Sequence, residues 1–160
     1  MRPPARLRRV QRRRGDGSRL APMPAPTVQY VSPGGQAFGV RCEDRADYLY
    51  AEVTGPKGDA DVGIAFWRVL AGEVASRRAH RLLVDARLTG PTLSPQGLAA
   101  VVEQFVGSPL ERVHIAYVEN DAGNVAALEH GAIAAAELGF SARVFPDQGS
   151  AERWLRYGTS

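Results

Sequence analysis

The chain has 160 residues, 44% hydrophobic and 23% charged, with a formal net charge of +3. That length suits one domain with a core of its own, and no apolar run reaches the ~18 residues of a membrane span. Cys42, the one cysteine, rules out an internal disulfide framework and any multi-thiolate metal site, and a cytoplasmic, reducing setting is expected.

The charge is uneven. Residues 1–28 carry eight arginines against Asp16, a balance of +7, and subtracting this from the chain's +3 leaves −4 for the rest. The same stretch holds Pro3, Pro4, Pro22, Pro24 and Pro26 and few large apolar residues, so it is expected to be a disordered tail. No apolar stretch of secretory-signal length follows the basic residues. Three readings of the arginines stay open: an arm for nucleic acid or another acidic surface, a solvated tail, or a mis-called start with translation beginning at Met23. Nucleic-acid binding is expected nowhere else in the chain.

Regular patterning begins near Phe38, and the folded domain is expected over residues 36–158. Phe38, Val40 and Cys42 alternate with Gly39, Arg41 and Glu43, the period of a half-buried strand. After the polar break Glu43–Asp47, Tyr48–Val53 forms a second strand, giving an antiparallel hairpin ended by Gly55-Pro56-Lys57-Gly58. Asp59 or Asp61 caps a helix whose stripe is Val62, Phe66, Val69, Leu70 and Val74. Leu82-Leu83-Val84 suits a central strand covered on both faces. Ser94 and Pro95 open a second helix with Leu98, Val101, Val102 and Phe105 on one face. Val113–Val118 is a strand, and Asp121 caps an Ala-rich helix with Val125, Leu128, Ala132 and Leu138 inward, closed by Gly139. Ala142–Phe145 is the last strand, and Ser150 starts a helix that buries Ala151, Trp154 and Leu155. The order is ββαβαβαβα: an α/β domain with a single mixed, mostly parallel sheet and helices packed on it.

No catalytic set emerges. Asp85 ends the buried strand where α/β sheets place ligands, but it lacks neighbouring acids and the lysine a phospho-acceptor site would use, so it is read as an aspartate satisfying loop amides. His80, His114 and His130 have no ligand spacing, no Gly-x-Ser-x-Gly or Walker glycine pattern occurs, and Cys42 reads as a small core residue. No cofactor and no metal are expected. The loop Arg87–Gly97 is the most distinctive segment, with Arg87 as an anion partner, hydroxyls on Thr89, Thr92 and Ser94, and free amides at a helix start. Asp85, Arg87, Thr89, Thr92, Ser94 and Trp67 form the expected binding set. A second arrangement is a pocket between the first helix and the sheet, walled by Trp67, Tyr48 and Tyr50, with Arg87 anchoring a headgroup.

The hairpin, Arg81–Asp85, the loop after it, Gly97–Val102, Arg112–Glu119, Ala142–Phe145 and the Trp154-Leu155 helix together resemble the STAS fold of anti-sigma factor antagonists, in its bacterial SpoIIAA-like subgroup. The resemblance spans most of Phe38–Tyr157. It implies a non-catalytic regulatory or ligand-binding module, with a regulatory protein or a small amphipathic ligand as partner. Antagonists carry Asp-Ser-Ser-Gly-Leu, whose first serine is phosphorylated. Aligning Gly97-Leu98 sets Ser94, Pro95 and Gln96 at those first three positions, so Ser94 becomes the phosphosite only through a one-residue loop shift. The subgroup is also similar in fold to CRAL-TRIO lipid carriers, which implies an apolar slot.

Overall fold

The computed structural model describes residues 8–10 and 25–158. Its sheet has seven strands in sequential order: β1 (Arg8–Val10), β2 (Val28–Val31), β3 (Ala37–Asp44), β4 (Leu49–Pro56), β5 (Arg81–Thr89), β6 (His114–Glu119) and β7 (Ser141–Phe145). Four helices punctuate it: α1 (Ala60–Arg77), α2 (Pro95–Glu103), α3 (Ala122–Glu137) and α4 (Gln148–Tyr157). From β3 onward the order is ββαβαβαβα, and β4, β5, β6 and β7 pair in parallel. The sheet reaches further than expected at its other side. β2 pairs antiparallel with β3, and β1 with β2, so the sheet starts before residue 36 and is half antiparallel by pairings. Val28 and Tyr30 sit opposite Val40 and Phe38, and the Tyr30 and Phe38 rings stack at 5.4 Å, which gives the short β2 its anchor. The remainder of the expected disordered tail lies outside the described residues.

The two faces of the sheet are covered differently. Val40, Leu49, Ala51, Val53, Leu82, Val84, Ile115 and Tyr117 form one core cluster with Val62, Phe66, Leu70 and Val74 of α1 and Val101 of α2. On the opposite face Tyr48, Tyr50, Leu83, Ala116 and Val118 pack against Ala151, Trp154 and Leu155 of α4, with Phe145 of β7 beside them. Side chains alternate along a strand, so adjacent residues of β4 serve different helices. That alternation overturns the expected pocket wall: Tyr48 and Tyr50 lie across the sheet from Trp67.

Several element ends differ from expectation. The start of α1 does not: of the two expected caps it is Asp59, accepting from the amides of Asp61 and Val62. α4 is capped by Asp147, which accepts from the Ser150 amide at 2.7 Å, so the helix starts two residues before Ser150. β5 runs on to Thr89, because the extended end of β4 offers Gly55 and Pro56 as partners for Leu88 and Thr89. The first three residues of the expected Arg87–Gly97 loop are therefore strand. In α3 the buried positions are Gly131 and Ala135, and Leu138 is 40% exposed. Gly139, at φ 97°, turns the chain so that Phe140 enters the core in place of Leu138. Among the described residues no helix is long and apolar enough to cross a membrane.

Candidate functional site

Lys57 directly follows β4, and Glu119 closes β6. The Lys57 amide donates to the Thr89 carbonyl at 2.7 Å, which fixes the chain's exit from β4 against the end of β5. The Lys57 ammonium then donates to Glu119 Oε1 at 2.6 Å and to Thr92 Oγ1 at 2.7 Å. Both charged side chains are buried, Lys57 to 8% exposure and Glu119 to 3%. A buried ion pair holds only with such close geometry, because desolvation opposes it.

Lys57 and Thr92 line the polar part of a cavity of about 150 Å³ between the sheet and helices α1, α2 and α3, and Glu119 backs Lys57 from behind that lining. Phe66, Trp67, Val101, Ile115, Tyr117 and Leu128 supply much of its apolar wall. The Trp67 ring stacks on Tyr117 with centroids 6.2 Å apart and meets Phe66 in a tilted contact at 5.5 Å. Small residues make the space. A Cβ on Gly131 would lie 3.3 Å from Leu98, so α3 sits close to α2 without filling the volume between them. Tyr117 is 9% exposed, and its hydroxyl finds no hydrogen-bond partner among the described residues. Burial, and then the charge of Glu119 two residues along the same strand face, push the phenol well above its ordinary pKa, so it stays a neutral O–H.

Across the sheet lies a second polar cluster. Asp85 is 1% exposed, and its Oδ2 accepts from the Tyr50 hydroxyl at 2.6 Å, Gln148 Nε2 at 2.9 Å and Arg87 Nε at 3.1 Å. Oδ1 is buried without a partner. Arg87 also approaches Glu52 at 3.6 Å, and Glu52 pairs with Arg41 at 3.3 Å. Asp85 is thus held by side chains from β4, β5 and α4 and not by loop amides as expected. It ties the first residue of α4 to the sheet.

The chain matches no protein-family model and no curated protein.

The expected binding set is divided by the sheet. Trp67 and Thr92 line the cavity, with Leu88 and Leu93 of the same loop region beside them. Asp85 and Arg87 belong to the α4 face, where Arg87 cannot reach a headgroup in the cavity. Thr89 contributes its carbonyl to Lys57. Ser94 caps α2, its hydroxyl accepting from the Gly97 amide at 3.1 Å. Among the described residues no three His, Cys, Asp or Glu side chains gather as metal ligands. Sequence reasoning passed over Lys57, Glu119 and Tyr117. One signal was present: Lys57 is the single lysine in a chain whose other basic residues are arginine, apart from three histidines. Tyr117 and Glu119 share a strand face by period 2.

Proposed function

We propose that this chain is a small-molecule-binding module of STAS-like kind, without catalytic activity, whose ligand occupies the cavity under α1, α2 and α3. The observation that carries the reading is an apolar, aromatic-lined space ending in a buried Lys57–Glu119–Thr92 cluster. Mostly apolar walls with a few convergent polar groups are the common form of a ligand site. The kinship is supported by the sequence resemblance together with the ββαβαβαβα run from β3 to α4. Leu88 at the end of β5 and Thr92 and Leu93 of the loop after it line the cavity, so the segment singled out for partner recognition is also the one a ligand would touch. Occupancy would thereby alter the surface shown to a regulatory partner, near the Ser94 cap.

Titration of the protein with benzene, followed by amide NMR, tests the reading. Shifts confined to the residues around the cavity are expected, and Leu128→Trp, which fills the space, should abolish them. Shifts scattered over the surface, or unchanged in the filled variant, would refute it.

A further inference from the structure

The cavity's chemistry narrows what it can hold, granted the reading of it as a ligand site. Its volume of about 150 Å³ matches that of an engineered apolar cavity that takes up benzene. One ring with a small substituent fills that volume. The stacked Trp67 and Tyr117 rings favour an aromatic guest, since offset aromatic faces attract one another.

Charge is settled by the ion pair. Lys57 is the cation at the polar end, and Glu119 neutralises it from 2.6 Å. A carboxylate entering the cavity would lose its hydration and find Lys57 already neutralised by Glu119 behind it. A cationic guest would find Glu119 already engaged. Arg143 also borders the cavity, but on β7 it alternates with Ala142 and Val144 and its guanidinium lies over the Phe145 ring on the α4 side of the sheet, so either charged guest bears the cost of burial without a free counter-charge.

Hydrogen bonding is settled by the donors left over. An ammonium has three N–H groups, and Glu119 and Thr92 occupy two of those on Lys57. The Thr92 hydroxyl accepts from Lys57, which leaves its own O–H without an acceptor among the described residues, and the Tyr117 O–H has none there either. The cavity's lining, to which Lys57, Thr92 and Tyr117 all belong, is therefore rich in unused donors.

We propose that the cavity selects an uncharged, single-ring aromatic compound bearing one hydrogen-bond acceptor such as a carbonyl, and that Tyr117 is the residue that reads the acceptor. Three probes of one shape test this: benzamide, benzoate and benzamidinium, neutral, anionic and cationic at pH 7, with benzene as the ring alone. Amide NMR titration of the full chain should give benzamide a Kd at least tenfold below those of benzoate and benzamidinium. Tyr117→Phe should weaken benzamide by about two- to tenfold, the loss of one hydrogen bond, and leave benzene unchanged. Benzene also reports that the variant remains folded, and Thr92→Val provides a second donor deletion expected to act in the same direction. Benzoate or benzamidinium binding as tightly as benzamide overturns the proposal while leaving the cavity a ligand site. So does a benzamide affinity that both donor deletions leave unchanged. Failure of all four probes, benzene included, overturns this proposal and the ligand-site reading together.

Discussion

Breaking the Lys57–Glu119 pair from one side should destabilise the fold far more than removing it whole. An exposed ion pair contributes at most about 1 kcal/mol. Here the side chains are 8% and 3% exposed and the contact is 2.6 Å, which places the pair in the buried regime. Among the described residues, Lys57→Met leaves Glu119 with only the Asp121 amide, at 3.4 Å, as donor. Glu119→Gln leaves a buried ammonium with no counter-charge. Each single variant should lose about 3–5 kcal/mol. For a domain of this size that corresponds to a fall in Tm of about 6–20 °C. The double variant Lys57→Met/Glu119→Leu replaces both charges by apolar groups of similar bulk, and should be more stable than either single variant. Urea unfolding monitored by tryptophan fluorescence measures all four proteins. Losses below about 1 kcal/mol in both single variants would refute the buried-pair argument, as would a double variant weaker than both.

Three further outcomes follow from other parts of the fold. Tyr50→Phe removes one of the three donors on Asp85 Oδ2 and should cost about 1.5–3 kcal/mol, the range for hydrogen bonds to a charged group, read from the urea midpoint. Burial pushes the Cys42 thiol up to about 12, so its reaction with a disulfide reagent at pH 8 should rise with denaturant in step with unfolding; prompt labelling in native buffer would contradict its place in the core. The Asp147 carboxyl is held below its ordinary pKa by the Ser150 amide and hydroxyl. Its folded value is the depressed one, so its contribution is full above the unfolded carboxylate value of about 4 and fades as pH falls through the folded value. Asp147→Asn should flatten that acid-side loss of stability, as measured by urea midpoints across the acid range.

The parts of the fold that could be read from the residues are those with strong contrast. Phe38, Val40 and Cys42 alternate against Gly39, Arg41 and Glu43, and β3 lies there; Val62, Phe66, Leu70 and Val74 stand out on α1, and all are buried. α3 was legible as a helix but not in its orientation. Its alanines offer little contrast between faces, and the stripe through Leu138 yields to Gly131 and Ala135. β2 is four residues set among prolines and polar residues, too short for periodicity to mark it. The site was half legible. Trp67 and Thr92 were singled out, whereas the ion pair that organises the polar end joins residues 62 apart, which no local pattern can report. Nor does a strand's alternation say which of its two faces meets which helix, and Arg87 was assigned to the wrong side for that reason.

Because each strand lies beside its predecessor in the chain, the layer that α1 to α3 cover can assemble in the order of synthesis, each unit docking on the one just made. The reverse side cannot. Its greasy residues, Tyr48 and Tyr50 among them, wait for the closing ten-residue helix, whose Gln148 and Glu152 clasp Asp85 and Tyr48 across 63 and 104 positions of chain. A nascent or truncated polypeptide halted before residue 148 would expose that patch, and would be a natural client for chaperones or a seed for aggregation.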